Sequence, residues 1–225
     1  LRKVGLWNYA RHPSTDVWCM AYVWDGDPEL WAPGLKAHSR DFLEHVAAGR
    51  PVCAHNMAFE LEIWNQIMVP RYGWPELKPE QTYCTLAMAY SMALPGALED
   101  AAKAAGLDIG KDMEGRALML KYARPWKEEP KLRWMDECPR FRLGGRDWTG
   151  AEGLAKLYEY CRQDVRVERA LAARLRPLSA QERKVWLMDY AINQRGVRAD
   201  LETAAAGVAA AAKVSERCNT ELGRV

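Results

Sequence analysis

Tyr160 and Asp164 stand four residues apart in the segment YCRQD, a spacing that puts a phenol and a carboxylate on one face of a helix, one turn apart. Such a pair can orient a water molecule for attack; tyrosine and aspartate at this spacing are also common on exposed helices. His55-Asn56-Met57-Ala58-Phe59-Glu60 sets an amide and, four residues on, a second carboxylate just past the short apolar run Pro51-Val52-Cys53-Ala54. Strand-to-helix junctions are where sheet proteins build their sites. A purely local role stands beside that one, with Asn56 capping the helix and Glu60 favouring its dipole.

The elements that must position these groups alternate between strand and helix. Val17 to Trp24 is rich in β-branched and aromatic residues, and Asp25-Gly26-Asp27-Pro28 separates it from Leu30-Trp31, which predicts an antiparallel hairpin with Trp18 and Trp24 in the core. Lys36 to Ala48 has helical spacing, Gly49 breaks it, and residues 51–54 form a short buried strand. The next helix carries Phe59, Ile63, Trp64 and Ile67 as its apolar stripe, and Pro70 ends it. Thr85–Met92 and Ala97–Ala105 are further helices, divided by Pro95-Gly96. Thr149-Gly-Ala-Glu152 and Ser179-Ala-Gln-Glu182 are capping boxes that open two long helices, and Asp200 caps an alanine-rich one. The alternation predicts an α/β or α+β protein.

Residues 108–150 interrupt the pattern with Trp, Pro, Arg, Lys and Gly, which predicts a long connection. It is either a solvated excursion or a surface where Trp126, Trp134 and Trp148 stack on bases beside basic residues. A formal charge of +2 leaves any polyanion to local patches or metal ions. The six cysteines form no CxxC pair and the four histidines show no zinc spacing, so reduced, mostly buried thiols without a disulfide partner are expected. No apolar run is long enough for a bilayer, and the opening has no secretory signal. These features predict a cytoplasmic protein with no membrane partner.

Taken together, AHNMAFE and YCRQD resemble the second and third motifs of the DEDD exonucleases, in the subclass whose last motif is Tyr-x-x-x-Asp. VGLWNYARHPSTDVWCMAY, TLAMAYSMALPGALEDAAKAAGL, KDMEGRALML and YCRQDV fall in the order used by phage and prophage family A DNA polymerases. That resemblance covers residues 1–178. LMDYAINQRGVRADLETA, within residues 179–225, resembles the helical entry into the polymerase domain of the same enzymes.

The resemblance implies a ribonuclease H-like mixed sheet with flanking helices. It implies two divalent ions, Mg2+ or Mn2+, with Glu60 and Asp164 as metal ligands and Tyr160 orienting the attacking water. Asn56, with Met57 and Phe59 beside it, would hold the terminal nucleotide of a single-stranded DNA 3′ end. The remainder of a polymerase chain is the implied partner. The family also carries an Asp-x-Glu pair on a central first strand, and no such segment precedes VGLWNYARHPSTD here. Asp16, in a loop, and Asp25 and Asp27, in a turn, are poor substitutes. Weak or lost metal binding and catalysis follow, and so does a gap in the sheet. Glu60 stands where aspartate is more usual, and Cys84-Thr85 where Asp-Thr is frequent. Two other functions stay open: a nuclease-like module that binds DNA or a partner protein without catalysis, and an RNA-trimming nuclease.

Overall fold

The computed structural model describes residues 5–35, 40–108, 112–123 and 140–223. It divides into two compact units, Leu1–Leu187 and Met188–Val225. The first is an α/β unit. Its elements begin with helix Gly5–Arg11 (α1), strands Met20–Tyr22 (β1) and Glu29–Trp31 (β2), helix Arg40–Ala47 (α2) and strand Val52–Ala54 (β3). Helix Met57–Ile63 (α3) then runs through a π-helical turn, Trp64–Met68, into helix Val69–Tyr72 (α4). Strand Thr82–Cys84 (β4) and helices Thr85–Ser91 (α5), Leu98–Ala104 (α6) and Met113–Tyr122 (α7) follow. Strands Phe141–Leu143 (β5) and Arg146–Trp148 (β6), then helices Gly150–Ala172 (α8) and Ala180–Arg195 (α9), complete the order up to the second unit.

The strands form three two-stranded sheets rather than one: β1 with β2 antiparallel, β3 with β4 parallel, and β5 with β6 antiparallel. β1 packs on α8, with the Ala21 backbone beside Cys161, and the His55 backbone just past β3 lies beside Glu168. β1 and β3 each keep an unpaired edge among the described residues. Cys53, in the middle of β3, is exposed, whereas the sequence pattern predicts a buried strand.

Aromatic packing holds the first half of the unit. Tyr22 stacks on Phe42 at 4.1 Å, and Trp31, Trp64 and Trp74 meet edge-on at 4.8 to 5.1 Å, geometries that add to simple area burial. Met57, Leu61, Ile67 and Met68 are fully buried, so the apolar stripe of this helical stretch runs through them rather than through Phe59 and Ile63. Pro70 does not end the helix. It sits in the first turn of α4, where its missing N–H has no helical partner to lose, and the π turn absorbs the mismatch. α1, which the sequence pattern does not predict, is tied to α3 by Arg11 and the buried Glu62 at 2.8 Å.

Several expectations are corrected. Trp24 is 46% exposed, edge-on to His45, because β1 ends at Tyr22 and leaves it in the turn. Residues 108–150 are not one connection: α7 and the β5–β6 hairpin lie within them. Trp148 is 3% exposed and packs with Leu118, Tyr122 and Leu157, which leaves no ring face for a base. Trp126 and Trp134 lie outside the described residues. Of the five described cysteines, all free, only Cys84 is buried. No described helix is long and apolar enough to cross a membrane.

In the second unit, Asp200 accepts a hydrogen bond from the Thr203 N–H at 3.0 Å and caps helix Leu201–Leu222 (α10), which has no buried residue.

Candidate active site

The site is built on α8. Thr149 and Glu152 close a reciprocal capping box at its start, and Leu157, Val167 and Leu171 hold one face against the core. Each residue advances about 100°, so Lys156, Tyr160, Asp164, Val167 and Leu171 fall on neighbouring meridians of the helix. Arg166, Arg169 and Ala173 point the other way, into a shallow recess with Gly26, Asp27 and Pro28. That recess holds no carboxylate pair and is separate from the chemistry.

Tyr160 and Asp164 do meet. The phenol donates to the Asp164 carboxylate. Burial lifts the Tyr160 hydroxyl to about 12, with the negative charges of Asp164 and Glu99 adding to it and Arg116 opposing. Burial likewise lifts Asp164 to about 6, against the stabilising Tyr160 hydrogen bond, and Glu99 and Asp112 push the same way as burial. A phenol held this firmly in its protonated form orients and does not act as a base.

The β3–α3 junction brings the second group. His55 accepts or donates at Nδ1 to the Thr85 hydroxyl and at Nε2 to the Gly96 carbonyl, both at 3.0 Å. With the carbonyl requiring a donor, Nε2 carries the proton and Nδ1 accepts from Thr85. Burial holds its pKa below the ordinary value, so His55 is a fixed neutral brace. It pins the turn in which Asn56 adopts left-handed backbone, φ 61° and ψ 47°. That conformation costs a non-glycine residue about 1 kcal/mol. Asn56 makes no side-chain capping bond and is exposed, so the local capping role fails and its amide faces solvent. Phe59 is half-buried and stacks on Tyr9 at 6.2 Å. Met57 is fully buried, so its side chain belongs to the core and cannot touch a ligand.

Glu60 is exposed, and neighbouring protein shields its carboxyl enough to lift it to about 7. The charges of Glu60 and Asp164 both fall on Cys161 and on Glu168, so both candidate ligands lie within electrostatic reach of these two α8 side chains. Glu168, which the motif spacing did not single out, is the missed member. It lies one turn beyond Asp164, half-buried, with its carboxyl lifted to about 8 by burial and then by Glu60, while the His55 N–H pulls it back. The signal was available: YCRQDVRVE repeats an acid at four-residue spacing.

Three carboxylates raised together are an unbalanced negative group of hard oxygen donors, the kind a divalent cation neutralises. The number is short: among the described residues no three ligating side chains converge within reach of one ion. The donor set fits such a cation in kind and does not close a site alone.

A DNA polymerase of Bacillus phage SP02 is 30% identical to the chain over 210 residues, covering 90% of this chain and 30% of that protein. The chain is thus related to a phage DNA polymerase and spans about 30% of the length of this relative. No protein family matches the chain, and no solved structure matches it.

Proposed function

We propose that the chain is the 3′-to-5′ exonuclease part of a family A DNA polymerase, in a ribonuclease H-like fold spanning residues 1–178, with 179–225 leading toward polymerase segments. The observation that supports this is the Tyr160–Asp164 pair on one face of α8, with the Asp164 and Glu60 charges both reaching Cys161 and Glu168. The unpaired edges that β1 and β3 keep among the described residues support it, since an Asp-x-Glu strand could pair there and add acids to Glu60 and Asp164. The relation to a phage DNA polymerase supports it independently.

In this proposal Glu60 and Asp164 hold two divalent cations, which when bound supply water activation and stabilisation of the leaving 3′ oxygen. The chain's own part is positioning. Tyr160 donates a hydrogen bond to Asp164 and keeps its lone pairs for the attacking water. The Asn56 amide holds the terminal nucleotide. Water oxygen bonds to phosphorus as its proton passes to solvent, the bond to the preceding 3′ oxygen breaks and that oxygen takes a proton from solvent, and a nucleoside 5′-monophosphate leaves.

The test is shortening of a 5′-labelled single-stranded oligodeoxynucleotide with Mg2+ or Mn2+, by the chain alone and by the chain extended upstream with an Asp-x-Glu strand. Slow or no release by the first and fast release by the second are expected, with Asp164→Ala abolishing it. No release by the folded, extended chain overturns the proposal. The short acid count favours a second function, a module that grips DNA without cutting it. Salt-sensitive binding unchanged by Asp164→Ala, with no cleavage in either form, would select it.

A further inference from the structure

We propose that the first turn of α7 is the positioning element of the Tyr160 phenol, with Gly115 as the residue that seats its ring. This rests on Tyr160 being the water-orienting group proposed above.

Three contacts order this turn, and two of them hold it against α8. Asp112 caps α7 by accepting from the Gly115 N–H at 2.9 Å. Its other carboxylate oxygen pairs with Lys156 Nζ at 2.8 Å, both side chains being largely shielded at 24% and 32% exposure. Lys156 is one helical turn before Tyr160, so the ion pair fixes α7 beside the phenol's own face of α8. The third point is steric. A Cβ placed on the buried Gly115 would stand 2.5 Å from Tyr160 Cδ2, 2.8 Å from Tyr160 Cβ and 2.8 Å from Asp112 Oδ2. The two tyrosine atoms are the root and near edge of the ring, not the far end of a flexible chain, so Tyr160 itself must move.

Backbone conformation does not explain the glycine. Gly115 lies inside a helix without the positive φ that marks the turn glycines, and glycine is among the poorest helix formers. What requires it is the close approach of the Tyr160 ring. A displacement of about 1 Å would take the phenol off Asp164, and misplacement on that scale costs about 100-fold in a preorganised site.

The experiment is a cycle of Gly115→Ala in two backgrounds, wild type and Tyr160→Ala, read by urea midpoint. With the tyrosine present the added methyl is expected to lower the midpoint or prevent folding. In the Tyr160→Ala background the ring contact is gone while the contacts with the residue-160 Cβ and Asp112 Oδ2 remain, so the loss is expected to be much smaller. That smaller loss supports the seat, and an equal or larger loss in the Tyr160→Ala background overturns it. The positioning role is read separately by 13Cζ-tyrosine NMR. Gly115→Ala is expected to shift the Tyr160 13Cζ resonance at fixed pH as the ring is displaced, and an unmoved Tyr160 signal overturns the proposal. In the nuclease assay the same variant is expected to lose about 100-fold in kcat with KM for DNA unchanged, and a change in KM alone counts against it. If Tyr160→Phe cleaves DNA at the wild-type rate, the water-orienting role falls. The urea cycle and the Tyr160 13Cζ shift still decide whether Gly115 seats the ring.

Discussion

Glu168 makes stability depend on pH in a direction opposite to that of most carboxylates. Its carboxyl is lifted from an ordinary 4.5 to about 8, chiefly by burial and then by the Glu60 charge. The folded state therefore binds its proton more tightly than the unfolded chain, and the native state gains stability from this group only while it is protonated. That stability is fully present below pH 4.5, is lost progressively as pH rises through 8, and is gone above. One pKa unit is worth about 1.4 kcal/mol, which caps the loss at about 5 kcal/mol. Glu168 is only half-buried, and partial hydration at an effective dielectric near 20 brings the expected loss to about 2 kcal/mol. Urea denaturation from pH 5 to pH 9 measures it against Glu168→Gln, which keeps the shape without the titration. The variant is expected to show a flatter profile and to exceed the wild type by about 2 kcal/mol at pH 9. Parallel profiles would refute the shielding of Glu168 within reach of the Glu60 and Asp164 charges.

Asn56→Gly relieves left-handed backbone and is expected to stabilise the protein by up to about 1 kcal/mol while weakening capture of a DNA 3′ end, measured by urea midpoint and fluorescence anisotropy; a loss of stability would contradict the strain at Asn56. Thr149→Ala removes the α8 capping box and is expected to cost about 1 kcal/mol; a midpoint within error of the wild type would show that α8 does not depend on it. Leu118→Ala opens a cavity in the fully buried cluster between α7 and α8 and is expected to cost about 2–5 kcal/mol, whereas a surface α7 would lose well under 1 kcal/mol.

Helices with chemical punctuation were legible in the sequence. Thr149, Ser179 and Asp200 each place a side-chain acceptor at a helix start, and the structure uses all three. What escaped were elements fixed by distant contacts. α1 is held by the Arg11–Glu62 pair across 51 residues of chain, and α7 by Asp112, Gly115 and Leu118 against α8. Local pattern carries none of that. β1 is shorter than its β-branched run because Trp18 turns its indole N–H to the Tyr122 carbonyl at 3.1 Å instead of joining a strand. The Tyr160–Asp164 pairing follows directly from helical spacing. The nearness of Glu60 does not, because it depends on how β3 and α8 meet, and no periodicity encodes that.

The central proposal is that a DNA 3′ terminus is held by Asn56, Glu60, Tyr160 and Asp164. Paramagnetic broadening in NMR spectra of the chain, with single-stranded oligodeoxynucleotides spin-labelled at the 3′ or the 5′ end, measures this directly. Selective loss of the Asn56, Glu60, Tyr160 and Asp164 signals is predicted with the 3′ label and not with the 5′ label. Equal broadening by both labels, or broadening centred on the Arg166–Arg169 face of α8, would contradict it.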